Sequence, residues 1–385
     1  MKKKVAVAMS GGVDSSVTAC LLKNEGYEVV GITMKILPCP DEEKSQKARK
    51  NLCCSLTDIE DARKVCAKIG IPHYVLDFTK EFEKEVIKYF CSEYLKGNTP
   101  NPCIVCNTKI KFGSLLKKLK AMGIDYLATG HYARIEVTNY QLPITNYQYL
   151  LKKGIDQTKD QSYVLYGLTQ EKMKSLLFPL GNYRKEEVRK LARRWHLPVA
   201  EKEESQEICF IQNADYRRFL KVRITADKDA DAHRYFKPGP IVNLKGKILG
   251  EHQGLVFYTI GQRRGLGIGY GKPLYVIGMD KENDTVIVGE EKDVYGKKLQ
   301  AEKVNWLISD LEFPLKVEAK IRYKHPPAKA KVYPLTPTLS LRGERTKVRV
   351  EFNEPQWAIT PGQSVVFYDK DIVLGGGTIV KSYEL

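Results

Sequence analysis

Three short stretches carry residue types that can do chemistry. SGGVDSS (10–16) pairs two adjacent glycines with three serines and one aspartate. Glycines let backbone approach a ligand closely, and the exposed N–H groups of such a loop cradle an anion when a helix opens behind it. Ser10, Ser15 and Ser16 add hydroxyl donors. Asp14 would repel a bare phosphate, so its expected role is to help hold Mg2+. The loop is neither G-x-x-x-x-G-K-[ST] nor G-x-G-x-x-G, which excludes the kinase/GTPase and dinucleotide loops. The second stretch, TPNPCIVCNTKIKF (99–112), places Cys103 and Cys106 in C-x-x-C spacing. That spacing suits half a zinc site, a dithiol, cluster ligands or a catalytic thiol with a neighbour. The third, ESQEICFI (204–211), sets Cys209 in an acidic, polar context; taken alone, a single cysteine is most simply a buried one.

These residues need a scaffold. KVAVAM (4–9) reads as a buried strand that feeds the glycine loop, and residues 15–24 carry Val17, Leu21 and Leu22 at helical spacing before Gly26 stops them. YEVVGITMKI (27–36), PHYVLDF (72–78) and DYLATGHY (125–132) read as further strands. Helices are expected over 59–69, capped by Asp58, over 81 to about 95, and over 113–122. Repeated β–α units imply an α/β domain with a parallel sheet. Beyond about residue 235 the pattern becomes hairpins, PGPIVNLKGKILGEHQG and LYVIGMDKENDTVIVGE, followed by KVRVEF, SVVFYD and GGGTIVKSYEL, which suit an antiparallel barrel. Residues 138–148 and 333–347 lack either periodicity and read as extended hairpin tips.

The chain has 385 residues and a net charge of +17, enough length for two or three domains. Residues 101–225 hold 22 Lys/Arg against 12 Asp/Glu, whereas the last 85 hold 13 against 10. Positive charge centred on the cysteine stretch suits a polyanion such as nucleic acid, although a solvated basic face is the plainer alternative. No apolar run is long enough to span a membrane, and the short run Val5–Met9 is too brief for a signal peptide. Nine cysteines without an export signal suit a reducing cytoplasm, and Cys20 and Cys66 lie on apolar stripes where burial is the default.

SGGxDS resembles the motif of the ATP pyrophosphatase family, whose members place AMP on a substrate oxygen and hold pyrophosphate in this loop. The ordered set SGGVDSS, TPNPCIVCN, ATGHYARI, DQTKDQSYVLYGL, EKEESQEICFI, GEHQGLVFYTIGQRRGLGI, RYKHPP and TPGQSVVFYD resembles, over nearly the whole chain, the bacterial tRNA-specific 2-thiouridylases. The resemblance implies a PP-loop catalytic domain over 1–212, adenine nucleotide α-hydrolase-like in fold. It further implies a small central tRNA-binding domain over 213–283 and a C-terminal antiparallel β-barrel over 284–385. The implied reaction is 2-thiolation of the wobble uridine, position 34, of tRNA. ATP adenylates O2 and sulfur replaces it at C2, giving 2-thiouridine, AMP and pyrophosphate.

The resemblance also assigns roles. Cys209 carries the persulfide sulfur and Cys106 is the nucleophile, with a Cys106–Cys209 disulfide as a possible product. ATP contacts fall on Ala8, Met9, Ser10, Gly11, Gly12, Val13, Asp14, Ser15, Met34 and Gly130. tRNA contacts fall on Asn101, Pro102 and Cys103 against the target base, and on His131, Lys159, Asp160, Gln161, Arg322, Tyr323 and Gln363. The basic helix 184–195 is a candidate phosphate grip or an ordinary exposed helix. A cysteine desulfurase or sulfur-relay protein is the expected sulfur donor. Many members of the family have aspartate where this chain has Cys103, which leaves the proton-handling role open. It also allows a rival in which Cys103, Cys106 and Cys209 hold an iron–sulfur cluster that carries the sulfide; the resemblance favours the persulfide. Zinc is disfavoured, since no second ligand pair follows. A different adenylating ligase of the same fold would need neither Cys209 nor the basic surface.

Overall fold

A run of small and β-branched residues, Val5, Ala6 and Val7, is fully buried at the centre of the first sheet, as expected for a strand covered on both faces. The computed structural model describes residues 2–38, 56–138, 148–204, 208–211, 215–226, 236–309, 311–335 and 347–383. Both expected hairpin-tip extensions fall largely outside these residues. The chain divides into two compact units. The first comprises 1–87, 102–215 and 371–373, and the second 88–101, 216–370 and 374–385.

The first unit contains strands β1 (Lys4–Ala8), β2 (Glu28–Lys35), β3 (His73–Asp77), β4 (Tyr126–Ala128), β5 (Ala133–Thr138), β6 (Gln148–Lys153) and β7 (Leu176–Leu177). Five form a sheet of order β3-β2-β1-β4-β7, with every neighbouring pair parallel. β5 and β6 form an antiparallel hairpin. Helix α1 (Val13–Asn24) packs its Val17, Cys20, Leu21 and Leu22 into a core with Val5, Val7, Val29, Ala62, Val65 and Cys66, the last three from helix α2 (Leu56–Ile69). Cys20 and Cys66 are therefore buried hydrophobes, as their spacing implied.

Two local expectations change. The strand expected over 125–132 ends at Ala128, and Thr129–Tyr132 leave the sheet as a loop. The helix expected from Gly113 instead begins at Pro102 and runs to Ala121, with a π-helical stretch over Cys106–Leu115. Proline suits a first helical position because its missing N–H has no partner there anyway. The widened π turn is a feature that recurs at functional sites, and it masks the 3.6-residue period by which a helix is recognised in sequence.

In the second unit β8 (Gly239–Asn243), β9 (Ile248–His252), β10 (Tyr275–Asp280) and β11 (Thr285–Gly289) form a sheet of order β10-β11-β8-β9 around Ile241, Val276, Val286 and Val288. The two sequence-predicted hairpins are present, but they join through a parallel β11–β8 pairing rather than entering the barrel. β11 carries this sheet to Gly289, beyond the boundary expected at 283. β12 (Tyr295–Trp306), β13 (Leu315–Lys320), β14 (Ala328–Pro334), β15 (Val348–Trp357), β16 (Ser364–Asp369) and β17 (Ile372–Tyr383) then run in the order β12-β15-β14-β13-β16-β17. The additional β12–β17 pairing closes this antiparallel barrel and removes its free edges.

Candidate active site

The phosphate loop lies where a parallel α/β sheet ordinarily binds ligands, beyond the carboxyl end of a central strand. β1 ends at Ala8, and α1 begins at Val13 with Gly12 before it in extended conformation. Gly11 has φ +70°, and a Cβ there would meet the Asp58 carbonyl oxygen at 2.3 Å. Only glycine lets the loop turn and touch the start of α2 at once. The serines are organised internally. Ser15 Oγ accepts from the Ser10 N–H at 3.2 Å and donates to the Gly12 carbonyl, to which Ser16 Oγ also donates at 2.8 Å. Gly130 backs onto this loop, since a Cβ there would lie 2.9 Å from Asp14 Cβ and 3.0 Å from the Ser15 nitrogen. Met34, half-buried near the end of β2, pairs in register with Leu76.

Asp14 is not a bare carboxylate. Lys185 Nζ lies 2.7 Å from Oδ1 and 2.9 Å from Oδ2, and Tyr132 Oη donates to Oδ1 at 2.8 Å. Burial, then the Asp14 charge, pushes the Tyr132 hydroxyl far above its ordinary range, so it stays a donor. A second lysine serves the loop backbone: Lys202 Nζ donates to the Gly11 carbonyl at 3.0 Å and pairs with Asp58 and Asp61 at 2.7 Å each. The loop carboxylate is therefore already paired with a cation and a hydroxyl donor. A magnesium ion would accordingly be held mainly by nucleotide phosphates, in keeping with its habit of using few protein ligands.

Cys106 begins the π-helical stretch and is buried, whereas Cys103 is exposed. Burial pushes the Cys106 thiol up to about 11; the charge of Lys111 opposes the shift and Cys103 adds to it. The nucleophile expected from the sequence thus rests as a thiol. Asn107 Nδ2 donates to the Val164 carbonyl at 3.0 Å, tying this helix to the turn that follows Gln161. Cys209 is half-buried beside Phe210, whose ring meets Phe82 edge-on at 5.7 Å. Ser205–Glu207 of its motif lie outside the described residues. Among the described residues no three His, Cys, Asp or Glu side chains gather to hold a metal ion.

The residues expected to meet tRNA are mostly engaged within the fold. Asp160 is buried and accepts from the N–H groups of Gly154 and Ser162 and from Ser162 Oγ. Gln161 Oε1 accepts from the Tyr132 N–H at 3.0 Å. His131 is buried between Phe112 and Phe178, with Nδ1 2.7 Å from Thr129 Oγ1, and burial holds it neutral, well below the usual histidine range. Lys159 pairs with Glu204 at 2.7 Å. In the second unit, Gln363 Nε2 donates to the Thr99 carbonyl at 2.8 Å, bracing the segment that leads to Asn101. Arg322 Nη2 donates to the carbonyls of Ile260 and Ala358 and to Thr360 Oγ1, and Tyr323 lies 5.7 Å from Lys320 Nζ.

Residues 3–213 match the family model described as "tRNA methyl transferase HUP domain", 231–290 its "PRC-barrel domain" and 296–379 the "Aminomethyltransferase beta-barrel domain". The chain is 53% identical to the tRNA-specific 2-thiouridylase MnmA of Acetivibrio thermocellus over 98% of this chain and 99% of that one. It is 50% identical to the protein of the same name from Heliobacterium modesticaldum, over 100% of this chain and 94% of that one. The protein of that name from Halothermothrix orenii is likewise 50% identical, over 99% of both chains. The chain belongs to the tRNA-specific 2-thiouridylase family. Set in that family, the first unit holds the phosphate loop and both expected sulfur-handling cysteines, Cys106 and Cys209, in one compact body. Sequence reasoning missed Lys185, Lys202, Glu204 and Tyr132 of this thiouridylase site. The charge alternation of 184–195 was the available signal for Lys185; Tyr132, Lys202 and Glu204 lie within the quoted motifs ATGHYARI and EKEESQEICFI, but no spacing rule singled them out. No described helix is long and apolar enough to cross a membrane.

Proposed function

We propose that this chain is an ATP-dependent tRNA sulfurtransferase that converts the wobble uridine of tRNA to 2-thiouridine. The observation that carries this reading is the intact phosphate loop in one compact unit with Cys106 and Cys209, in a chain about half identical over its full length to proteins named 2-thiouridylases. The loop N–H groups and the Ser10 hydroxyl receive the departing pyrophosphate as uridine O2 attacks the α-phosphorus of ATP, with Ser15 and Ser16 bracing the loop through the Gly12 carbonyl. Mg2+ enters with the nucleotide and offsets phosphate charge. Ala8–Ser15, Met34 and Gly130 shape the nucleotide site.

Sulfur arrives as a persulfide on Cys209, loaded by a cysteine desulfurase or sulfur-relay protein in the reducing cytoplasm. Cys106, once deprotonated, attacks the Cys209 sulfur. The S–S bond of the persulfide breaks, a Cys106–Cys209 disulfide forms and hydrosulfide leaves. Hydrosulfide attacks C2, the C2–O2 bond breaks and AMP departs with that oxygen. An external thiol reduces the disulfide for the next cycle. The logic is chemical: oxygen-to-sulfur exchange needs a good leaving group and a soft nucleophile. Asn101, Pro102 and Cys103 lie against the extruded base. Lys159 offers charge to RNA phosphate, while Asp160, Gln161, His131, Gln363 and Arg322 hold the contacting segments in shape, with Tyr323 beside Arg322 as a stacking face.

The test incubates the protein with ATP, Mg2+, a cysteine desulfurase with cysteine, and unmodified tRNA bearing a wobble uridine. The expected result is 2-thiouridine with AMP and pyrophosphate, lost in Cys106→Ala and Cys209→Ala. No product from the unaltered protein, or full product from Cys209→Ala, would overturn the reading.

A further inference from the structure

Lys185 stands at the first position of the helix Lys185–Arg194 and is 8% exposed. A buried lysine is costly unless its charge is matched, and it is conformationally defined when it is. Its ammonium has two carboxylate partners from different parts of the chain. One is Asp14 of the phosphate loop, at 2.7 Å. The other is Glu204, at 2.9 Å, in the EKEESQEICF stretch that leads to Cys209. The Tyr132 ring lies 5.7 Å below the same ammonium, and the Lys185 N–H donates to Asp156 Oδ2 at 2.9 Å, so both ends of the residue are fixed. Glu204 in turn pairs with Lys159 at 2.7 Å and approaches Arg189 at 3.8 Å. Burial alone would raise the Glu204 carboxyl, but Lys159 and Lys185 outweigh it and hold it below its ordinary value.

The chain of contacts Asp14–Lys185–Glu204–Lys159 thus joins the nucleotide loop, the segment leading to the persulfide cysteine and the turn expected to meet tRNA. We propose that Lys185 is a positioning residue that links the phosphate loop to the Cys209 segment, so that adenylation and sulfur delivery occur in one geometric register. The inference rests on the thiouridylase reading. Its physical content is that the two arms are separable. The Asp14 arm shields the phosphates from a carboxylate, and the Glu204 arm locates the sulfur carrier. Losing the second arm leaves the adenylated base waiting, and water then displaces AMP and regenerates uridine, consuming ATP without thiolation.

The experiment measures ATP KM and the AMP released per 2-thiouridine formed, for the unaltered protein, Lys185→Met, Lys185→Arg and Glu204→Gln. Lys185→Met is expected to raise the ATP KM about tenfold and to raise the AMP ratio, and Lys185→Arg to restore both in part. Glu204→Gln, a milder change at a part-exposed side chain, is expected to leave the ATP KM within about twofold while multiplying the AMP ratio about three- to tenfold. An unchanged AMP ratio in Glu204→Gln overturns the proposal, as does a rise in its ATP KM matching that of Lys185→Met. Absence of 2-thiouridine from the unaltered protein would instead strike the thiouridylase reading itself.

Discussion

Lys202 Nζ donates a 3.0 Å hydrogen bond to the carbonyl of Gly11, across 191 positions of sequence, while pairing with Asp58 and Asp61. The loop turn and the first two turns of α2 are thereby clamped by one ammonium. A charge-assisted hydrogen bond to a loop that must keep its shape is worth about 1.5–3 kcal/mol. Lys202→Met also leaves two neighbouring carboxylates without their shared cation. We expect the ATP KM to rise about tenfold with a smaller change in kcat, measured by pyrophosphate release. An unchanged KM would show that the loop holds its form without the clamp.

Gly130→Ala tests the close approach behind the loop. The new methyl would press on Asp14 and on the Ser15 nitrogen at about the start of α1. Backbone cannot yield as a flexible side chain can, and overpacking of this kind costs about 1–3 kcal/mol. The expected outcome is weakened ATP binding by about one to two orders of magnitude, read by calorimetry, with the barrel unaffected in hydrogen exchange.

The resting thiol of Cys106 makes a reactivity prediction. With its thiol near 11, the thiolate fraction at pH 8 is about one in a thousand. Alkylation followed by peptide mass spectrometry should modify exposed Cys103 first, and the Cys106 rate should climb with pH through 10. Lys111→Met, which removes the charge opposing the shift, should slow Cys106 further. Rapid Cys106 labelling at pH 7 would contradict the burial argument.

The same buried thiols set an alkaline limit on stability. Burial pushes Cys20 and Cys106 up to about 11 and Cys66 up to about 12, from an ordinary 9.0. Above pH 9 the unfolded chain releases these protons and the folded chain keeps them. The unfolded state then binds fewer protons, so stability is fully present below pH 9 and falls as pH rises toward 11. Melting temperature measured from pH 8 to 11 should drop, and Cys66→Ala should flatten that slope even though it lowers the melting temperature itself.

Cys103→Asp tests the proton-handling role that the sequence left open at this position. Cys103 is exposed, so the exchange should cost little stability, within about 0.5 kcal/mol. If the position handles a proton near Cys106, the pH profile of thiolation should shift while ATP KM stays put. A profile identical to that of the unaltered protein would assign Cys103 to base contact alone.

What the sequence determined by itself was whatever is contiguous. SGGVDSS, its strand before and helix after, the β–α order of the first unit and the hairpins of the second are encoded by neighbours at fixed spacing, and the structure contains them. The π-helical stretch at Cys106 was hidden because its period is not the one a helix pattern is read by. Tertiary structure alone decided which charges meet. Lys185 finds Asp14 across 171 positions, and Lys202 finds Gly11 across 191, because the fold buries the first and half-buries the second, and an ammonium withdrawn from water must find acceptors. It also decided that Asp160 Oδ1 and Gln161 Oε1 accept from backbone N–H groups, and that Cys106 keeps its proton. A sequence states which groups are present; desolvation, which depends on what packs over them, states what charge they carry and whom they must hold.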